Sequence, residues 1–425
     1  MTNKKPTNVT ALIIIAILFF VFGFITWLNG TLIPFLKLAC ELKNDTQAFF
    51  VTFAFYIAYF FLALPSSFVI KKTGFKNAMS LGLVVMAIGS IVFIPAAQNR
   101  SFPLFLTGLF IQATGLSLLQ TASNPYISII GPIESAAKRI SIMGICNKIA
   151  GMISPIILGA LVLKNATALE DQITKATDLV TKEALLQQLA SRVITPYTII
   201  AIVLFLVALM IKFSPLPEID TNTDPDTEVS RAETNKSIFG FPHLWLGVLC
   251  LFLYVGAEVM AGDAIGTFGK AEGLPLDVTK YFTFFTLLAM LLGYVIGIFT
   301  IPKVISQEQG LKISAILGIV FSVGIFVSHG YVAITFIALL GLANALMWPA
   351  IFPLAISGLG KHTQTGSALL IMGIAGGAIV PLVYTSLKDT IHLPNNLSFV
   401  ICMLPCYAYI LYYSIRGYKA GKTAK

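Results

Sequence analysis

Charge is scarce in this chain. Asp, Glu, Lys and Arg make up 11% of its 425 residues while 57% are hydrophobic, and a soluble domain typically carries about 25% charged residues. So little charge, with a mean hydropathy of +0.87, excludes a body wetted on every side; lipid must replace water over much of the surface. Histidine is nearly missing, at four residues; His329 and His362 fall in expected loops and take no role. There is no HExxH, no GxGD and no Ser/His pair inside an apolar run, so an intramembrane hydrolase has no residues to run on. No catalytic group, metal set or cofactor is expected. Cysteine occurs five times, at 40, 146, 250, 402 and 406. An odd number, all in or beside apolar runs, excludes a disulfide framework. Cys402 and Cys406, one helical turn apart, read as packing. The alternating segments of about ten residues that build a membrane β-barrel are missing too.

What remains is a series of continuous apolar runs of about 20 residues, the length that crosses a hydrocarbon core of roughly 30 Å as an α-helix. Helices are expected near 11–36, 47–70, 77–97, 102–130, 139–163, 194–213, 243–268, 279–301, 311–328, 331–357, 364–387 and 396–415. The first run follows Lys4 and Lys5 but is too long for a signal peptide and lacks a small-residue cleavage site, so it reads as a retained span. Between the sixth and seventh runs, 214–237 is polar, with Pro215, Pro217, Pro225 and six acidic residues, the composition of a linker. Another polar insert, 164–192, balances its charges; Leu185, Leu186 and Leu189 suggest one short amphipathic helix outside the membrane. The net charge of +9 sits in short loops, where it sets topology and does not mark a nucleic-acid partner. With the termini and linker on one side, 17 of the 28 Lys and Arg fall on that side, 10 on the other and Lys148 within a span. The positive-inside bias places both termini in the cytoplasm.

The chain repeats itself. NPYISIIGP at 124–132 and SIMGICNKIAGMISP at 141–155 are echoed by WPAIFPLAI at 348–356 and LIMGIAGGAIVP at 370–381. The expected architecture is therefore an all-α membrane protein with twelve transmembrane helices in two pseudo-symmetric six-helix halves, 1–213 and 241–425, joined by a linker at 214–240. That layout resembles the major facilitator superfamily. LNGTLIPFLK at 28–37, FAFYIAYF at 53–60, LLQTASNPYISIIGP at 118–132, LYVGAEV at 253–259 and the run from Trp348 to Pro381 resemble its fucose permease family, whose members carry fucose, glucose/galactose or N-acetylglucosamine. The resemblance implies a secondary transporter of a small sugar in a bacterial inner (plasma) membrane, working by alternating access, often with a proton or sodium ion as coupling ion. It has two departures. The family's fucose/proton symporter carries carboxylates where this chain has Gly30 and Gln120. An uncoupled carrier is the alternative; a channel, a carrier of another solute and an intramembrane enzyme are the more distant ones. A monomer is expected, with the lipid bilayer and the sugar as its partners.

Polar side chains inside spans are costly and tend to face a cavity or the bundle interior. Amides both give and accept hydrogen bonds and so suit sugar hydroxyls. The candidates are Asn29, Gln120, Asn124, Asn147 and Asn344, with Trp27 and Trp348 as stacking platforms; the competing role for each is packing or helix-to-helix bonding. Tyr56, Tyr59 and Tyr126 are open to either role. Lys148 and Glu258 are expected near the membrane midplane, Glu258 as the leading cation acceptor, Lys148 as its internal counter-charge and Asp263 second. Lys71, Lys72 and Gly74, in an expected loop at 71–77, resemble the superfamily's gating loop. Pro125, Pro155, Pro349, Pro353 and Pro381 are expected to kink their helices, and Gly373, Gly376 and Gly377 to allow close helix contact.

Overall fold

A computed structural model of the chain describes residues 9–129, 136–217, 237–301 and 304–421. Most of the linker, 218–236, the Gly-Pro at 131–132 and the extreme termini lie outside the described residues.

Eleven helical stretches among the described residues are long and apolar enough to cross a membrane, and one of them, Asp45–Gln98, has 54 residues. At 1.5 Å per residue that is more than twice the hydrocarbon thickness. Its main helix, Phe50–Gln98, turns at Gly74, with φ 79° and ψ 166°, a conformation that a side chain would strain. The stretch is therefore two crossings, and the fold has twelve. In order they are Val9–Thr26 with Asn29–Ala39; the two arms of Phe50–Gln98; Phe102–Ile129; Ala136–Val162; Ile194–Phe213; Pro242–Asp263; Phe282–Thr300; Gln307–Phe326; Gly330–Asn344 with Met347–Ile356; Thr363–Met372 with Gly376–Asp389; and Asn395–Ile415. They are called spans one to twelve below. Even crossing numbers put residues 9, 217, 237 and 421 on one face, the linker face; the other is the far face.

Three expectations need correction. The segment 71–77 is not a loop but helix on either side of the single break at Gly74. The insert 164–192 holds two helices, Ala166–Lys175 and Leu179–Ser191. The second is started by Asp178, whose carboxylate accepts from the N–H groups of Val180 and Thr181, an N-cap that a carboxylate makes well. The helix interruptions follow an expected proline in one place: the break at Ala345–Leu346 lies at the i−4 carbonyl of Pro349, which has no N–H to bond it. Span five runs on through Pro155, while the breaks come at Trp27–Leu28, at Ala345–Leu346 and at the 3-10 turn Gly373–Ala375.

The halves meet along spans five and eight, and along span eleven and the long Phe50–Gln98 helix, where Gly377 faces Tyr56 of span two. Close approach depends on residues without side chains: a Cβ on Gly377 would lie 2.9 Å from the Tyr56 ring across the halves, and one on Gly376 1.7 Å from the Phe252 carbonyl oxygen, between spans eleven and seven of the second half. Large apolar side chains such as Phe68, Phe213 and Phe299 point outward, where lipid covers them.

Candidate functional site

The two charges expected at mid-depth meet. Lys148 is twelve residues into span five, about 18 Å, and Glu258 sixteen residues into span seven, about 24 Å. Lys148 Nζ donates to Glu258 Oε1 at 2.8 Å, joining the first half to the second. Both side chains are buried, at 8% and 10% exposure. The ammonium also lies 4.7 Å from the Trp27 ring centroid, within cation–π range. Trp27 occupies a slot whose walls are two glycines: a Cβ on Gly151 would fall 2.4 Å from the indole, and one on Gly262 2.3 Å. Its indole is buried with Lys148 over it, which makes it part of the charge site in this state.

Asp263 ends span seven, 1% exposed. Neither carboxylate oxygen accepts a hydrogen bond of ordinary geometry, although the Gly30 amide lies beside it. A Cβ on Gly30 would lie 3.4 Å from Asp263 Oδ1 and 2.6 Å from Thr283 Oγ1. Thr283 donates to the Gly262 carbonyl at 2.8 Å. Asn29, next to Gly30, is fully buried and its amide makes no hydrogen bond of ordinary geometry.

The amides divide. Gln120 Nε2 donates to the Tyr59 hydroxyl at 3.0 Å, tying span four to span two; Gln120 and Asn124, one turn further, are half-buried. Asn147 gives its amide to the Phe19 carbonyl at 3.4 Å, facing span one. Asn344 accepts from the Tyr407 hydroxyl at 2.9 Å, a bond between spans ten and twelve. Trp348 is half-buried, stacked on Phe352 at 5.9 Å and 6.5 Å from Tyr254. Lys71 and Lys72 are exposed at the linker-face turn. Their neighbour Lys76, which the sequence did not single out, donates to the Ser214 carbonyl at 2.7 Å where the linker begins. Thr283 and Tyr294 also escaped the sequence reading; a Cβ on Gly144 would touch the Tyr294 ring at 3.1 Å, across the halves.

Among the described residues, every ion pair between the halves other than Lys148–Glu258 lies at the far face. Asp45 pairs with Lys37 of its own half and Lys388 of the other, and Glu170 with Lys270. Asp389 accepts from the Thr46 N–H at 2.8 Å, and the Asp277 carboxylate accepts from the N–H groups of Ala166 and Thr167, both at 3.1 Å. The far face is closed. A cavity of about 550 Å³ lies among these contacts, lined by Lys37, Glu41, Asp45, Glu170, Lys270 and Lys388 among others; none of the expected sugar-facing residues lines it.

The Major Facilitator Superfamily model matches residues 15–383. The glucose/galactose transporter of Brucella abortus (strain 2308) is 34% identical over 423 residues, 99% of this chain and 97% of its own. The L-fucose-proton symporter of Escherichia coli (strain K12) is 30% identical over 376 residues, 88% of this chain and 85% of its own. A crystal structure of the E. coli fucose:proton symporter superposes with a TM-score of 0.74 at 26% identity, covering 96% of this chain and 98% of that one.

Proposed function

The chain belongs to the major facilitator superfamily, whose members are membrane transporters and not enzymes, and we propose that it imports a small sugar by cation-coupled symport. The substrate class is a hexose such as glucose, galactose or fucose, or N-acetylglucosamine. The setting is the inner membrane of a bacterium, with termini and linker in the cytoplasm, and the chain works as a monomer. The observation that carries the sugar reading is full-length similarity to a transporter named for glucose and galactose. The site is consistent with it: Gln120 and Asn124 bring half-buried amides from span four, that of Gln120 bonded to Tyr59, with Asn29, Asn147 and Trp348 as the further candidates. Asn344 is the weakest of the set, since Tyr407 already holds its oxygen.

The transport cycle follows from the contacts. With the far face tied by Asp45, Glu170, Asp277 and Asp389, the sugar site exchanges with the linker face. Release of those contacts lets the halves rock about the interior and present the site outward. Lys148 and Glu258, one from each half, give the cycle a charged centre, and Lys71, Lys72 and Gly74 form the hinge on the linker face. One observation favours uncoupled carriage: Glu258 is already neutralised by Lys148.

Counterflow in membrane vesicles tests the reading. Vesicles preloaded with unlabelled glucose, galactose, fucose or N-acetylglucosamine are expected to draw in the labelled form of the accepted sugar transiently above equilibrium. A channel gives no such overshoot, and no overshoot with any of the four sugars refutes the proposal. Single-cysteine reporters at the termini and linker should react only from the cytoplasmic side; labelling from outside intact cells refutes the topology.

A further inference from the structure

We propose that Asp263 is the residue at which the coupling cation is taken up, at a closed contact that Gly30 and Asn29 of span one make with Thr283 of span eight. The inference rests on the symport reading above and assigns its cation to a residue.

Charge counting comes first. Lys148 and Glu258 form a closed pair at 2.8 Å. Asp263, the other buried acid of span seven, is within electrostatic reach of Glu258. Two carboxylates and one ammonium leave one negative charge uncompensated, and a single positive charge completes the set. A buried carboxylate without partners is strongly disfavoured and is expected to acquire a cation or a proton.

Position points the same way. Asp263 is the last residue of Pro242–Asp263, whose final turn holds no basic residue. The helix is interrupted there at Ala264, between Pro242–Asp263 and the short helix Ile265–Ala271, and interrupted helices are where transporters bind coupling ions.

The surroundings supply oxygen. Asp263 Oδ1 and Thr283 Oγ1, 3.4 and 2.6 Å from where a Gly30 Cβ would stand, place a carboxylate and a hydroxyl beside a residue with no side chain. Asn29 brings a buried amide without a well-formed hydrogen bond. Tyr56 of span two interacts with Asn29, Asp263 and Glu258. The charged and titratable groups around Asp263 are thus Glu258 on its own span and Tyr56 on span two, with Lys148 held by Glu258; spans one and eight contribute neutral groups. Because one side of this contact comes from each half, parting the far ends of the halves opens it to water and cations. Cation uptake and conformation are then linked.

The shared chemistry is a monovalent positive charge at a carboxylate, supplied by a proton or by sodium. The test uses the full chain in proteoliposomes with labelled sugar in two arms: a sodium gradient at equal pH, and a pH gradient in sodium-free buffer. Wild type is expected to concentrate sugar in one arm, which names the cation. Asp263→Asn is expected to lose accumulation in that arm while counterflow exchange stays within about threefold of wild type. Asp263→Glu should restore accumulation with the half-saturating cation concentration shifted at least about fivefold. Continued accumulation by Asp263→Asn overturns the proposal. So does wild-type exchange without accumulation in either arm. Should Asp263→Asn fail to reach the membrane, an Asp263→Glu variant with the wild-type cation dependence overturns it as well. If wild type exchanges none of the four sugars, the sugar reading fails and the cation site is judged by thermal unfolding. There the wild-type midpoint rises with sodium chloride over choline chloride, or with acidification, and that of Asp263→Asn does not; equal responses overturn the proposal.

Discussion

Neutralising one member of the Lys148–Glu258 pair should cost more from one side than from the other. The pair is buried at 2.8 Å, and removing one partner of such a pair typically costs about 3–5 kcal/mol, because the survivor is left charged and alone. The survivors here are not equal. After Glu258→Gln, Lys148 keeps the Trp27 ring at 4.7 Å, worth about 2 kcal/mol when desolvated, and Asp263 remains as a second acid. After Lys148→Met, two buried carboxylates within electrostatic reach of each other are left with no ammonium at Glu258. Glu258→Gln should therefore fall near the lower end of that range and Lys148→Met near or above the upper end, a difference of about 2 kcal/mol. The double variant removes both charges and should be less damaging than the sum of the singles by about 2–3 kcal/mol. Thermal unfolding midpoints of the purified proteins in one detergent measure all three. A Glu258→Gln protein less stable than Lys148→Met, or a double variant that is simply additive, refutes the reasoning.

Three further outcomes follow from named contacts. Gln120→Ala and Asn124→Ala should each weaken sugar binding by about 0.5–1.5 kcal/mol, a severalfold rise in Kd; Tyr59→Phe, which removes the hydroxyl that Gln120 binds, separates a sugar contact from a structural one, and unchanged affinity in both amide variants would assign them to packing. Asp45→Asn weakens the link to Lys388 across the far face and should raise the labelling rate of a cysteine placed at Ile33, on the cavity wall, by an impermeant reagent from outside; an unchanged rate would show that Asp45 does not hold the gate. Glu41, on the far-face surface, accepts from Lys182 and from Arg100, and these partners hold its carboxyl below the usual value. A depressed carboxyl stabilises the fold above its ordinary titration range and loses that contribution as pH falls through the depressed value. At 43% exposure the pair is screened, so the gap in unfolding midpoint between wild type and Glu41→Gln should be small near neutrality and vanish below about pH 4; a gap that widens on acidification contradicts the assignment.

The fold was legible because lipid imposes length. An apolar run must reach across the hydrocarbon and satisfy its own backbone on the way, so run length alone counted the crossings. Where helices break was legible only in part. The reading placed kinks at Pro155 and Pro381, yet those helices continue through them, since neighbouring helices can absorb the lost bond. The break at Ala345–Leu346 falls at the i−4 carbonyl of Pro349, where a proline removes the bond; that at Trp27–Leu28 has no such proline and sits where Trp27 is seated between Gly151 and Gly262, so packing across spans five and seven accompanies the break, and no local pattern in span one announces it. The turn at Gly74 was hidden for a different reason: the basic residues around it read as loop, but a single residue at positive φ reverses the chain without one.

The same distinction runs through the site. Lys148 and Glu258 lie 110 positions apart in the chain, and their meeting was readable because a lone charge at mid-membrane costs about 2.5–3.5 kcal/mol and two opposite charges at similar depth lower that cost by meeting. Amides carry no such compulsion. Asn344 finds Tyr407 and Asn147 finds a main-chain carbonyl, partners that any span can supply, so sequence spacing does not separate a sugar contact from a helix contact. Thr283 was missed because threonine is common in membrane helices and usually bonds its own backbone; here it bonds the carbonyl of Gly262 on span seven, beside Asp263. That carboxylate stood out in the sequence only as an acid near the end of a span. Its chemical weight comes from what the fold withholds from it: Lys148 is engaged by Glu258, and Gly30 brings no side chain. An acid left unbalanced by its neighbours, in a protein that must change shape to work, is where an external positive charge can bias one shape over the other.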